Sequence, residues 1–316
     1  MDDLVEEMAH ARLAWTAPAI RAWYDDDRLL RQLADGLADE AGRVDDEEFG
    51  ASFRDDVGLH PGTSPLEWAN RRIRLPDGGW SVAGIRFRAL DVARPFVDIV
   101  ATTAPPTDDG LAAVADAVLP YFGPFAPLCL RVEPPDPSAI DGRVDQHVVA
   151  GRVDELRRWP RAASYDAVAL RPGEPGPLAD RAAGIYAALP RGRDTWATPE
   201  DQESLAHCAD EGLLFEVVVD DTSAGVVAAI RDDRHGMSGF GVEEICLDAA
   251  ARGRGLAAGV VQRLVDALPA ADGDVLWGTI HPDNQPSLRN ALSVGRRVVG
   301  GYVWVTPSGL PGMPRH

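Results

Sequence analysis

Lysine is absent from this 316-residue chain, so all 31 of its Lys-plus-Arg cations are arginines. A Walker-type phosphate loop needs a lysine to reach the β- and γ-phosphates, and that chemistry has no support here. Cysteine is scarce: Cys129, Cys208 and Cys246 are widely spaced, each inside or beside an apolar stretch. The seven histidines show no paired ligand spacing, so neither a metal framework nor a disulfide scaffold is expected; the thiols read as buried and free. No Gly-x-Ser-x-Gly elbow is present, which removes the common hydrolase signature. No apolar run approaches the roughly 20 residues that cross a membrane. The start, Met1-Asp2-Asp3-Leu4-Val5-Glu6-Glu7, is acidic and lacks the cationic-then-apolar order of a secretion signal, so a cytoplasmic location is expected.

Net positive charge is also missing. The formal charge is −19, a field that repels polyanions, which disfavours nucleic acid as a partner and favours a cationic or amine-bearing one. What remains is ordinary for a globular protein: 45% hydrophobic and 26% charged residues. The length suits two domains better than one.

The first 60 residues read as helical, with Leu13, Ile20, Trp23, Leu29, Leu30, Leu33 and Leu37 at helix-like spacing. Strands follow at 80–88, 95–102 and 128–132, with a helix between Pro106 and Pro120 started by Thr107-Asp108-Asp109. From Pro134 to about Tyr165 the chain is Pro-rich and then polar, which reads as an inter-domain connection with one short amphipathic piece around 148–159. Domains of 1–160 and 161–316 are therefore expected. The second alternates regularly: strand 165–170, helices at 178–189 and after Asp201, and strands 213–219, 224–231 and 243–247. Helix 255–268, strand 275–280, helix 285–294 and strand 298–305 complete it. The stretch 95–132 loosely echoes 243–280 without its glycine turn, as an internal duplication with a dead first half would.

The chemistry concentrates at Glu244-Ile245-Cys246-Leu247-Asp248-Ala249-Ala250-Ala251-Arg252-Gly253-Arg254-Gly255-Leu256-Ala257. Here a strand passes through a Gly-rich, doubly basic turn into a helix. Such a turn leaves backbone N–H groups open at a positive helix end, a design that holds pyrophosphate. Segment 252–257 fits the pattern [Arg/Gln]-x-x-Gly-x-[Gly/Ala]. About 30 residues on, Ile280-His281-Pro282-Asp283-Asn284-Gln285-Pro286 ends a strand and opens a helix on an asparagine.

These two motifs on a β-α-β-α frame resemble the Gcn5-related N-acetyltransferase (GNAT) superfamily over roughly residues 165–305. The resemblance implies an α/β (α+β) fold with a mixed, splayed central sheet flanked by helices, here as two tandem GNAT-like domains with the first degenerate. It implies acetyl-CoA, or another acyl-CoA, as co-substrate, with no metal. Cys246 and Leu247 would offer backbone groups to the pantetheine arm. Arg252, Gly253, Arg254, Gly255, Leu256 and Ala257 would wrap the pyrophosphate, Asn284 would bond the pantetheine end, and Arg289 would reach a CoA phosphate.

The implied reaction is direct attack of an amine on the thioester, which needs a base and an acid for the thiolate. Glu244, or its neighbour Glu243, is the candidate base; strand alternation allows only one of the two to serve. The tyrosine that often follows the second-motif asparagine by seven residues is replaced by Ala291. Ser287 or a water would then act, CoA would leave unaided, or the domain would bind without turnover; Tyr302 is a distant substitute. Trp196 and His207 could line a substrate pocket, and 235–241 could form a mobile loop beside the acceptor. The expected acceptor is a small-molecule amine, with a protein amine as the alternative, in a monomer or homodimer.

Overall fold

The computed structural model describes residues 3–58, 62–189 and 197–315. In chain order the helices and strands begin with α1 (Asp3–Ala14), α2 (Pro18–Arg21), α3 (Asp26–Gly42) and α4 (Glu47–Val57). Next come β1 (Arg71–Arg74), β2 (Trp80–Phe87), β3 (Pro95–Thr102), α5 (Asp108–Val118), β4 (Leu130–Val132), β5 (Arg143–Arg152) and α6 (Val153–Arg158). Then follow β6 (Val168–Pro172), α7 (Pro175–Ala187), α8 (Gln202–Asp210), β7 (Leu214–Val219), β8 (Thr222–Arg231) and β9 (Gly239–Leu247). The last four are α9 (Leu256–Ala267), β10 (Val275–Ile280), α10 (Gln285–Ser293) and β11 (Arg297–Val305).

The chain forms two compact units. Unit 1 comprises residues 1–146 with 234–236 and 300–315; unit 2 comprises 147–233 with 237–299. The chain passes between the units several times rather than dividing once near residue 160. In unit 1, β1-β2-β3-β4 and the end of β11 lie side by side. Its helical start is set by local chemistry: Asp25 caps α3 and Asp46 caps α4, each carboxylate accepting from backbone N–H groups. The core gathers Trp68, Ile85, Phe87, Val97, Leu111, Val114, Phe122, Phe125 and Leu130.

Unit 2 orders its strands β5-β10-β9-β8-β7-β6, mixed because β9 and β10 run parallel while the other paired neighbours run antiparallel. The predicted stripe on α9 is met: Leu256, Val260, Val261, Leu264 and Val265, with Leu268 just beyond the helix, pack on the sheet. Each such side chain, fully buried, contributes about 1.5–3 kcal/mol. The other face of the sheet carries α7 and α8 through Leu178, Ala182, Ile185, Leu205 and Cys208.

Two expectations are corrected. The Pro134–Tyr165 connection contains a ten-residue strand, β5, paired antiparallel with all of β10, and the short helix α6. The apolar run Val148-Val149-Ala150 is too short for its periodicity to separate strand from helix. Residues 239–241 of the expected mobile loop lie in β9, and Met237 is wholly buried. The strand β1 went unread because only Ile73 of its four residues is apolar and buried. Cys129, Cys208 and Cys246 are all buried and free, as expected. Burial pushes the thiols of Cys129 and Cys208 up to about 12, leaving them inert. Among the described residues no helix is long and apolar enough to cross a membrane.

Candidate active site

Strand β9 does not alternate evenly. Ala228 pairs with Glu244 and Ala229 with Val242, so Glu243 is an extra residue in a β-bulge. The consequence is visible in the packing. Phe240, Val242, Ile245 and Leu247 all meet the α9 side of the sheet, although 242 and 245 differ by an odd number. Cys246 meets the α7–α8 side, and Glu244 has its partners there. The alternation rule used to choose between the two glutamates is therefore interrupted at the point of choice. The structure separates them by burial: Glu244 is 1% exposed and Glu243 half-buried.

Glu244 is held from two directions. The Tyr186 hydroxyl, near the end of α7, donates to Oε1 at 3.1 Å, and the Glu200 backbone N–H donates to Oε2 at 3.3 Å. Burial pushes the Glu244 carboxyl up to about 7, against the lowering effect of those donors. Burial and the neighbouring Glu244 likewise push the Tyr186 phenol up, and burial raises Glu200. A carboxyl that titrates near neutral pH is matched to general-base work.

Beyond the bulge the sheet opens. β9 and β10 are in register over Gly239–Gly241 and Val275–Trp277 only, among the described residues, while β9 continues to Leu247 and β10 to Ile280. β10 thus offers no ladder partner to the main chain of residues 242–247, where Cys246 and Leu247 lie. β9 leads directly into the basic turn. Asp248 accepts from the N–H groups of Ala251 and Arg252, closing the first bend. Gly253 and Gly255 take left-handed dihedrals, φ 75° and 73°, which glycine adopts without the usual steric penalty. Gly255 stands at the N-cap of α9 with no side-chain cap. The first N–H groups of the helix, Leu256 and Ala257 among them, are left without intrahelical acceptors.

The arginines of the turn differ in their roles. Arg252 Nε donates to the Leu247 carbonyl at 2.7 Å and Nη2 to the Ile185 carbonyl at 3.3 Å, tying the turn to α7. Arg254 is exposed and reaches Asp220 at 3.5 Å. A third arginine, missed in the sequence, stands close by: Arg181 of α7 pairs with Asp248 and donates to the Ser223 carbonyl at 2.9 Å. Arg181, Tyr186 and Glu200 precede both motifs by tens of residues, and no local pattern marks them. A cap-free helix end, three guanidiniums and open space beside Gly253 and Gly255 fit a diphosphate.

The second motif opens α10 as expected. Asn284 is its N-cap and accepts from the Ser287 N–H at 3.3 Å. Ser287 and Arg289 are exposed on the helix. Ala291 is fully buried against Val149, Ile280 and Leu288, so the slot where a tyrosine would stand is filled by core packing, in part from the unforeseen β5. His207 is exposed on α8; Trp196 lies outside the described residues. Tyr302 and His235 belong to unit 1 rather than to the unit that carries these residues. Among the described residues no cluster of three or more His, Cys, Asp or Glu could hold a metal.

The sequence profile of the acetyltransferase (GNAT) family matches residues 183–295. No curated protein matches the chain. Among solved structures, a GCN5-related N-acetyltransferase from Sphaerobacter thermophilus is similar at 16% identity, over 85% of this chain and 94% of that one, with a TM-score of 0.51. A GCN5-related N-acetyltransferase from Kribbella flavida matches at 15% identity over 76% and 90% of the two chains, with a TM-score of 0.43. A Drosophila protein matches at 9% identity over 98% of both chains, with a TM-score of 0.43.

Proposed function

We propose, from the match of residues 183–295 to the acetyltransferase (GNAT) family, that this chain moves an acetyl group from acetyl-CoA to the primary amine of a small molecule. The observation that carries the reading is the position of Glu244: a buried carboxyl titrating at about 7, on the strand that opens beside an uncapped, arginine-lined helix end. In this reading the amides of Leu256 and Ala257, the glycine turn and Arg254 hold the donor's diphosphate. Arg252 and Arg181 hold the turn in shape. Cys246 and Leu247 present main-chain groups along the open edge of β9, and Asn284 offers its amide from the start of α10.

Glu244 would accept the proton of the acceptor's ammonium. The freed amine then attacks the acyl carbonyl, the carbon–sulfur bond breaks, and the thiolate takes up a proton. Ala291 cannot supply that proton. A thiol is a fair leaving group near neutral pH, with an ordinary pKa of about 8.5, so water or Ser287 suffices. The chain's −19 charge favours a cationic acceptor. A cytoplasmic location, a monomer or homodimer, and a degenerate GNAT-like repeat in unit 1 complete the reading.

The burial of Ala291 favours a second reading, an acyl-CoA-binding or regulatory protein without turnover. Thiol release from acetyl-CoA with a panel of small amines separates the two. Turnover with an amine supports the enzyme, whereas binding without thiol release supports the regulator. Arg254→Glu should weaken CoA binding about tenfold or more by titration calorimetry; unchanged affinity would refute the phosphate assignment of the turn.

A further inference from the structure

Unit 1 repeats the strand–helix–strand plan but has no phosphate turn. Thr107 caps α5 by accepting from the Gly110 N–H at 3.2 Å, and two aspartates occupy the first turn. What unit 1 does contain is a cavity of about 270 Å³, room for roughly nine water molecules at about 30 Å³ each. That is near the lower end of small-molecule sites, about 300–1,000 Å³. Four arginines and four carboxylates line it, so its wall carries no net charge from these groups in a chain of −19.

The charges of this wall are fixed in place. Asp98 takes both Nε and Nη2 of Arg131 at 2.9 Å, and the same guanidinium lies 4.9 Å from the centre of the Phe96 ring and 4.7 Å from that of Tyr302. Glu133 accepts from Arg12 at 2.6 Å on one oxygen and bonds His235 Nδ1 at 2.7 Å on the other. Arg12 and His235 are more than nine-tenths buried. Ionic groups are expensive to bury, and well-packed apolar residues of similar volume are often at least as stabilising. Here the ion pairs line a cavity instead of filling it. Each pair also keeps capacity on both sides. Arg131 spends two of its three nitrogens on Asp98, and each carboxylate oxygen of Asp98 and Glu133 holds one recorded side-chain partner while having two lone pairs.

We propose that this cavity is a binding site for a small zwitterion, an amino acid or a close derivative. Its carboxylate would meet the Arg131–Tyr302 side and its ammonium the carboxylates. A simple anion or a simple amine would leave one sign of the wall unanswered, and the capped α5 terminus offers a nucleotide diphosphate no grip. All its lining residues belong to unit 1, so it shares none with the site proposed in unit 2.

The test is titration calorimetry of the full chain with a panel of free amino acids, matched carboxylates lacking the amine, and matched amines lacking the carboxylate. At least one amino acid should bind, and the single-charge analogues should bind at least about tenfold more weakly. Arg131→Met and Glu133→Gln should each weaken that amino acid about tenfold or more. Tyr302→Phe, which keeps the ring, should weaken it a few-fold with the circular dichroism spectrum unchanged, so the proposal stays testable if a charge variant misfolds. Arg254→Glu and Glu244→Gln should leave amino-acid binding intact. No binding by any amino acid overturns the proposal. Binding that is lost in Glu244→Gln but kept in the unit 1 variants also overturns it, because the amino acid would then sit in unit 2.

Discussion

The β9–turn–α9–β10 module of unit 2 and the β3–turn–α5–β4 module of unit 1 share one backbone plan. In each, a strand feeds a helix that returns to a parallel strand, and the two strands are in register over a few residues only: 239–241 with 275–277, and Val97–Asp98 with Leu130–Arg131. The modules part at the turn. α9 starts on a left-handed glycine with no cap, whereas α5 starts on Thr107, followed by two aspartates. One aspartate is already engaged, Asp108 accepting from the Asp141 N–H at 2.9 Å. A helix end becomes an anion site when the chain withholds its own acceptors. The carboxylates differ in the same way. Among the described residues Glu244 is buried with neutral donors and no ion-pair partner, while Asp98 and Glu133 are matched to cations.

The sharpest way to break this comparison is Glu244→Gln. Acetyl transfer should fall by about 10²–10⁴ in kcat/KM with CoA affinity unchanged in calorimetry. Asp98→Asn should leave the rate as it is. Equal losses in the two variants would mean that the modules are not divided by function.

Next in size is the pH dependence of stability, where the two units should act with opposite sign. Glu244 titrates at about 7 in the folded chain against an ordinary 4.5, so the folded state holds the extra proton. Its contribution to stability should decline by about 3 kcal/mol as pH rises from 4.5 to 7, then level off. For Glu133, burial would raise the carboxyl, but the charges of His235 and Arg12 outweigh it and bring it to about 2. That contribution is complete above pH 4.5 and is lost as pH falls towards 2. Urea unfolding at stepped pH should show the first slope vanish in Glu244→Gln and the second in Glu133→Gln.

A smaller effect sharpens the contrast between glycines. A Cβ on Gly110 would fall 2.2 Å from the Pro105 carbonyl oxygen, whereas a Cβ on Gly253 would meet nothing within 4 Å. Gly110→Ala should cost about 1–3 kcal/mol by overpacking. Gly253→Ala should cost about 1–2 kcal/mol, from its left-handed dihedral alone. Denaturant midpoints test both, and the reverse order would place the tight turn in unit 2. The smallest effect is Thr107→Ala, which should cost about 1 kcal/mol of stability through the lost cap and leave CoA binding alone in calorimetry.

Much of this division is legible in the sequence. The apolar stripe of α9, the caps at Thr107 and Asn284, and the Gly-Arg-Gly turn are local patterns whose meaning depends on residues a turn or two away. The strand β5 was not legible, because four apolar or small residues in a polar stretch suit either element. Nor was the meaning of Ala291, which depends on Val149 lying against it. The loop at 235–241 was misread for a related reason: glycine content signals freedom only where nothing packs, and Met237 is buried.

By itself the sequence determined where α5, α8, α9 and α10 start, which face of α9 is apolar, and that an uncapped basic turn follows β9. These are short-range consequences of side-chain chemistry and helical spacing. Only the tertiary structure decided which of two adjacent glutamates enters the interior, because the bulge at Glu243 resets the strand's alternation. It also decided that Arg252 braces the turn while Arg254 faces solvent, and that Tyr186 and Glu200 reach Glu244. Those relations join residues tens of positions apart, and burial, which moves a carboxyl towards neutral pH, comes from the packing of distant elements.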